Sequence, residues 1–273
     1  MDESISLRPM LEDDVAAVIR VIDATDEDDA EEAEESYHNQ GLDEQYVLTL
    51  NGAIIGVTGL RPIEGTDRRA WLSWTYMHPD YQGRGHGKTM MKELLEIAKG
   101  YDVHKLFVTT SDYIDPEDDE PLYQKAIELY LSMGFQEEFS IPDYFEPGES
   151  QLLYGLSLSD IDPVDIEPEE VILEFNHLGE IDETEGVYGI GWGAKKVGKF
   201  SFGKKKAGQF TAADCQVAID RVKEWEGRAV LVTFPSNIPT IFEPLESAGF
   251  KEIGQLKDYY EDGLHKLYFW YKL

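Results

Sequence analysis

The chain has a single cysteine, Cys215, among 273 residues, and this shortage narrows the classes of protein to which it can belong. One thiol forms no intramolecular disulfide, which favours a reducing compartment. Cys215 lies in a predicted amphipathic helix, where a small buried side chain is expected rather than a nucleophile. No stretch approaches the roughly 20 apolar residues of a membrane-spanning helix, and no signal-peptide pattern opens the chain. We therefore predict a soluble, cytoplasmic protein with no membrane partner.

Basic residues are also scarce, with 24 lysines and arginines against 55 acidic residues and a formal charge of −31. Such a charge repels phosphates, which argues against a nucleic-acid partner. The acidic residues are partly clustered, as in Asp26–Asp29 and Glu31–Glu35. Two interpretations remain open, namely a solvated acidic surface and a field that attracts a cationic substrate toward a cleft.

A glycine-rich loop lies between a predicted strand, Ala70–Met77, and a predicted helix, Lys88–Lys99. Three glycines between residues 83 and 87 leave backbone N–H groups uncovered close to the helix start. Unpaired N–H donors and the positive end of the helix dipole favour an anion at such a place. Arg84 and Lys88 add positive charge. We predict that this loop binds a diphosphate.

Two motifs in the sequence resemble motifs of a known protein family. The pattern Q-x-x-G-x-G at residues 82–87, after M-x-P at residues 77–79, resembles the acetyl-CoA signature of the GCN5-related N-acetyltransferase (GNAT) superfamily. The pattern A-x-x-L-Y-x-x-x-G-F at residues 126–135 resembles the end of the family's fourth helix and the start of its next strand. The resemblance implies an α/β fold with a mixed sheet, in the order β-α-α-β-β-β-α-β-α-β-β.

The same resemblance implies direct transfer of acetyl from acetyl-CoA to an amine, without an acyl-enzyme. In its terms the N–H of Met77 polarises the thioester carbonyl, and Tyr130 protonates or hydrogen-bonds the leaving thiolate. Tyr130 as a packing residue is the alternative. No metal is expected. The residues implied to bind the co-substrate are Met77, His78, Gln82, Gly83, Arg84, Gly85, His86, Gly87, Lys88 and Thr89.

The sequence departs from the family pattern at two positions. Tyr123 stands where many relatives carry asparagine, and Trp71 stands near the position of the glutamate base in one branch of the family. No base is obvious, and the candidates are His78, Asp112 and a water chain to Glu64 or Ser73. A non-catalytic acyl-CoA-binding or regulatory protein therefore remains an alternative to an enzyme.

An internal repeat suggests a second unit. Residues 132–158 align without gaps onto residues 247–273, with 10 of 27 positions identical. The strand Leu106–Thr109 matches Val230–Thr233, and the acidic, proline-containing segment Asp160–Pro168 looks like a linker. We predict an acetyltransferase domain at residues 1–160 and a degenerate, GNAT-like domain at residues 161–273.

The second unit lacks the Q-x-x-G-x-G spacing before its predicted helix, Ala212–Trp225. Six of the chain's 16 lysines fall between Lys195 and Lys206, around a predicted hairpin, Trp192–Phe202. These lysines are solvated, bind an anion or acidic partner, or belong to a surviving CoA site. The expected partners of the whole protein are a small-molecule amine or a peptide amine, with a small cationic amine favoured, and a second copy of the chain.

Overall fold

The computed structural model describes residues 4–115, 120–160, 166–168, 171–196 and 210–273, with the backbone alone at residues 171–176 and 192–196. The chain packs as two compact units. Unit 1 comprises Met1–Val108, Lys125–Phe135 and Leu156–Asp160, and unit 2 comprises Thr109–Gln124, Gln136–Gly155 and Ile161–Leu273. Most of the predicted linker, and the lysine-rich segment from residue 197 onward, lie outside the described residues.

Helices and strands alternate along the chain in the predicted way. In chain order the described elements are β1 Ile5–Pro9, α1 Val15–Asp23, α2 Glu27–Gln40, β2 Gln45–Leu50, β3 Ala53–Pro62, β4 Arg69–Leu72, β5 Tyr76–Met77, α3 His86–Gly100, β6 Lys105–Ser111, β7 Ile114–Asp115, β8 Glu120–Pro121, α4 Gln124–Ser132, β9 Gln136–Ile141, β10 Gln151–Ser157, β11 Val171–Glu180, β12 Val187–Lys196, α5 Ala212–Glu224, β13 Ala229–Pro235, α6 Phe242–Ser247, β14 Lys251–Glu261 and β15 Leu264–Lys272. The prediction of a mixed α/β fold is therefore confirmed.

The sheet of unit 1 is mixed, with β1, β2, β3 and β4 antiparallel in that order and β6 parallel to β4. Helices α1 and α2 pack with Val47 and Val57 in one apolar cluster. Met90 of α3 packs with Leu48 and Ile55 in another. Because Val47 and Leu48 are successive residues of β2, their side chains point to opposite faces. The helices thus cover both faces of the sheet.

The strand predicted at Ala70–Met77 is interrupted, which corrects the sequence-based expectation. Its first part pairs with β3 at Leu72 opposite Leu60, and its second part at Tyr76 opposite Val57. Four residue steps on this strand therefore match three on β3. One extra residue makes a β-bulge, which locally breaks the ladder and redirects side chains. The sequence also predicts a helix over Pro121–Ser132, and the observed helix, α4, begins later, at Gln124.

Unit 2 contains a sheet with the strand order β11-β12-β13-β15-β14 and the antiparallel pair β9 and β10. Helix α5 contributes Cys215 to the core of this unit, where burial raises the pKa of the thiol to about 12. This matches the expectation of a buried small side chain. The hairpin of β9 and β10 is held by Arg228, whose guanidinium donates to the carbonyl oxygens of Asp143, Tyr144 and Phe145.

The repeated residues share local backbone geometry. Asp143 and Asp258 have φ values of 54° and 53°. The carboxylate of Asp143 accepts a hydrogen bond from Gly148 N at 3.0 Å, and that of Asp258 accepts one from Gly263 N at 2.9 Å. Each Asp side chain therefore accepts a hydrogen bond from the backbone N–H of the glycine five residues later.

Candidate active site

The glycine loop forms an open surface at the start of α3. Gly83 and Gly85 have φ values of 71° and 84°, and apart from the adjacent backbone no heavy atom lies within 4 Å of where a Cβ would stand at either one. Gly85 is the N-cap residue and offers no side-chain cap to the helix. The N–H groups of His86, Gly87 and Lys88 precede the first intrahelical bond, which runs from Thr89 N to Gly85 O. Three backbone donors and a dipole end are thus available to an anion.

The side chains of Arg84 and Thr89 contact other groups of the protein. Arg84 stacks over the ring of Tyr81, with 5.8 Å between the guanidinium carbon and the ring centroid. The backbone N–H and the hydroxyl of Thr89 both donate to the carbonyl oxygen of Gly85, at 3.1 and 3.4 Å. The first turn of α3 contains no acidic residue, so nothing there repels an anion.

Gln82 connects three elements of unit 1. Its Nε2 donates to the carbonyl oxygen of Met77 at 2.9 Å, and its Oε1 accepts from Lys125 Nζ, at the start of α4, at 3.2 Å. One turn farther along α4, a Cβ at Gly87 would stand 3.5 Å from Leu129 Cδ2. The structure therefore brings together the end of β5, the glycine loop and α4, which carries Tyr130.

The backbone N–H of Met77 points away from β3. Neighbouring residues of an antiparallel ladder alternate between facing their partner strand and facing away. His78 faces β3, because its N–H donates to the carbonyl oxygen of Ile55 at 3.0 Å. Met77 lies opposite Gly56 in the intervening position. Its N–H is therefore directed to the side of β5 that does not pair with β3.

Tyr130 is a buried residue of α4, 5% exposed, with its ring centroid 5.6 Å from that of Phe135. Burial raises the pKa of its hydroxyl above the ordinary value. The hydroxyl thus stays protonated, while a thiolate corresponds to an acid of pKa about 8.5. Full proton transfer to such a thiolate is uphill, so a hydrogen bond is the chemistry that this tyrosine offers.

The bases considered from the sequence have other partners or positions. His78 Nδ1 accepts from the N–H of Asp80 at 3.2 Å, and Asp112 Oδ1 accepts from Ser150 N at 2.6 Å. Glu64 is exposed on the turn after β3. Ser73, in the bulge, lines a cavity of about 130 Å³ beside Tyr37.

One hydrogen-bonded pair of ionisable side chains is not indicated by the sequence. The hydroxyl of Tyr76 donates to the carboxylate of Asp29 near the start of α2, 47 residues away in the chain. No local spacing signals a contact between residues that are so far apart in sequence. Among the described residues, no group of three or more His, Cys, Asp or Glu side chains is arranged to hold a metal ion.

Comparison with known proteins relates part of the chain to a family. Residues 16–135 match the model of the acetyltransferase (GNAT) family. This part of the chain is therefore a GNAT acetyltransferase domain. No curated protein matches the sequence.

Several solved structures are similar to part of this chain. A GNAT-family structure from Desulfovibrio desulfuricans is 20% identical, with a TM-score of 0.51, over 57% of this chain and 100% of that one. The ribosomal-protein-S18-alanine N-acetyltransferase of Escherichia coli is 18% identical, with a TM-score of 0.47, over 58% and 97% of the two chains. PaiA N-acetyltransferase of Thermoplasma acidophilum, in complex with coenzyme A, is 18% identical, with a TM-score of 0.43, over 56% and 99%.

Within the described part of the chain, no helix combines the length and the apolar character that crossing a membrane requires.

Proposed function

We propose that this protein is an N-acetyltransferase that transfers acetyl from acetyl-CoA directly to an amine. The observation that carries the proposal is the open glycine loop at the start of α3, joined through Gln82 to β5 and α4 within the GNAT domain. The N–H groups of His86, Gly87 and Lys88 would hold the diphosphate of the co-substrate. A cytoplasmic location, expected from the single cysteine, belongs to the same proposal.

Two groups would act on the thioester. The N–H of Met77, turned away from β3, would donate to the carbonyl oxygen as negative charge develops there. The Gln82 amide holds the Met77 carbonyl oxygen and so fixes the orientation of this strand end. Tyr130 would hydrogen-bond the departing sulfur, since its raised pKa keeps the phenol protonated.

The acceptor is a small cationic amine in this proposal, with a peptide amine as the second class. Its support is the composition of α2, which has acidic residues throughout its first turn and belongs to the helix pair that covers one face of the sheet. Negative charge at the rim of a cleft raises the local concentration of a cation. The acidic segment would therefore affect the capture of the acceptor more than the binding of CoA.

The second half of the chain is, in this proposal, a degenerate unit that does not bind acetyl-CoA. Its support is the shared turn geometry at Asp143 and Asp258, and the matching left-handed glycines Gly134 and Gly249. At the offset of the repeat, Leu245 takes the place of Tyr130 and supplies no hydroxyl. We expect one CoA per chain, and we assign to this half a role in pairing two chains.

The experiment that tests the proposal combines calorimetry with a thiol-release assay. The purified chain is titrated with CoA, then incubated with acetyl-CoA and a panel comprising a polyamine, an arylalkylamine, an aminoglycoside and a peptide with a free N-terminus. Release of thiol that depends on one amine, with a matching acetylated product by mass spectrometry, supports the enzyme. CoA binding without amine-dependent release would favour the alternative, a non-catalytic acyl-CoA-binding or regulatory protein.

A further inference from the structure

The Tyr76 and Asp29 pair lies next to the proposed carbonyl donor. Tyr76 immediately precedes Met77 in β5, and successive residues of a strand point to opposite faces. Met77 packs in the α3-side cluster with Met90, whereas Tyr76 packs in the cluster of α1 and α2. The phenol therefore reaches the face of the sheet on which the acidic helix α2 lies, one residue from the N–H that would polarise the thioester.

The Asp29 side chain lies in the first turn of α2. The N-cap of this helix is Asp26, whose carboxylate accepts the N–H of Asp29 at 3.0 Å. The carboxylate of Asp29 accepts the phenolic hydrogen of Tyr76. Its place in the first turn favours the ionised form, because the positive end of the helix dipole stabilises negative charge.

The pair also fills a gap in the chemistry. His78 and Asp112 already accept backbone hydrogen bonds, and Tyr130 is held protonated by burial. An amine acceptor reaches neutral pH as an ammonium ion, which cannot attack a carbonyl until it loses a proton. A phenol bonded to a carboxylate can accept that proton on its oxygen while it passes its own hydrogen to the carboxylate.

We propose that Tyr76 and Asp29 form a proton relay that deprotonates the acceptor, an inference that rests on the proposed function. The ammonium gives one proton to Tyr76 Oη, and the Tyr76 hydrogen moves to Asp29, leaving a neutral amine and a carboxylic acid. The amine lone pair forms the C–N bond as the C–S bond breaks. The second N–H proton ends on the CoA sulfur. Asp29 then returns its proton to solvent, so the transfer releases one proton overall.

The test separates proton transfer from positioning. Asp29→Asn keeps an oxygen that accepts the Tyr76 hydrogen bond, but its amide cannot take up a proton. Each variant is assayed with the fastest alkylamine of the panel and with the β,β-difluoro analogue of that amine. Both assays use one pH, chosen between the pKa values of the two amines. Fluorine lowers the basicity of the nitrogen, so the analogue arrives neutral and needs no base.

We expect Asp29→Asn to lower kcat/KM for the alkylamine by about 10²–10⁴-fold, and to lower it much less for the fluorinated amine. Tyr76→Phe should give the same pattern. CoA affinity and the unfolding midpoint of Asp29→Asn should match those of the unaltered chain. Asp23→Asn, which removes an exposed charge at the end of α1, is the matched control and should leave both rates unchanged.

Equal losses with the two amines would reduce the pair to a structural contact and overturn the relay. Full activity of Asp29→Asn with the alkylamine would do the same. Absence of thiol release from the unaltered chain with every amine would instead contradict the proposed function itself, so the two failures are distinguishable.

Discussion

Gly85→Ala tests the glycine loop with the smallest possible change. Gly85 has a φ of 84° and, apart from the adjacent backbone, no heavy atom within 4 Å of where its Cβ would stand, so the new methyl group meets no distant part of the chain. The cost to folding is backbone strain alone, about 1–2 kcal/mol for a side chain in the left-handed region. The methyl group would stand beside the first N–H groups of α3, where the diphosphate is expected.

The expected loss of affinity follows from those N–H groups. A hydrogen bond to a charged group contributes about 1.5–3 kcal/mol, and each 1.4 kcal/mol changes a dissociation constant about tenfold. Loss of one such bond should weaken CoA binding by about 10- to 100-fold. Calorimetry gives the affinity, and denaturant unfolding gives the stability of the same variant.

Gly100→Ala is the matched control, because Gly100 ends the same helix and has equally open surroundings without a positive φ. Alanine should stabilise that position by up to about 1 kcal/mol and leave CoA affinity unchanged. Wild-type affinity in Gly85→Ala, or the same loss in Gly100→Ala, would refute the assignment of the loop.

Three further predictions concern the rest of unit 1. Tyr130→Phe should lower kcat by about 10- to 100-fold, the effect of one hydrogen bond to a charged group, with CoA affinity unchanged. Since burial raises the pKa of this phenol, kcat should not fall through its ionisation up to about pH 10; a variant with full kcat would assign the residue to packing. For a cationic amine, kcat/KM should drop as ionic strength rises, because screening acts over about 8 Å at physiological salt, and a salt-independent anionic best substrate would contradict the role of the acidic segment. Asp14→Asn should cost about 1 kcal/mol near neutral pH. The Arg8 guanidinium lowers the pKa of the Asp14 carboxyl in the folded state. The ion pair therefore stabilises the fold above the pKa that Asp14 has in the unfolded chain, and this stabilisation is lost as pH falls through its pKa in the folded protein. An equal cost of Asp14→Asn at low and neutral pH, measured by urea unfolding, would refute this.

Local sequence signals were enough for much of the fold. The sequence predicts a helix near Val15–Asp23, where α1 is found, because apolar spacing along a helix needs no knowledge of distant residues. The Asn51-Gly52 pair likewise predicts a tight hairpin turn, and both residues have positive φ in the turn between β2 and β3. The glycine loop was found for the same reason, as its backbone conformation is written in its glycines.

Features that depend on partners far away in the chain were not predicted. The bulge between Leu72 and Tyr76 arises from the register with β3 and leaves no mark in the composition of the strand. The contact between Asp29 and Tyr76 joins a helix start to a strand 47 residues later. Lys125 and Gln82 likewise meet only because α4 packs near the loop. Such contacts are set by tertiary packing.

The Arg228 clamp has a consequence for the order in which the chain matures during synthesis. The hairpin around Asp143 leaves the ribosome some 80 residues before the guanidinium that holds its carbonyl oxygens. Phe139 is likewise synthesised well before Tyr268, whose ring centroid lies 4.8 Å from that of Phe139 in the folded protein. A nascent chain that has reached only its middle therefore exposes Phe139 without its aromatic partner, and exposed apolar surface recruits chaperones or promotes aggregation. Fragments that end near residue 160 should keep this exposure permanently.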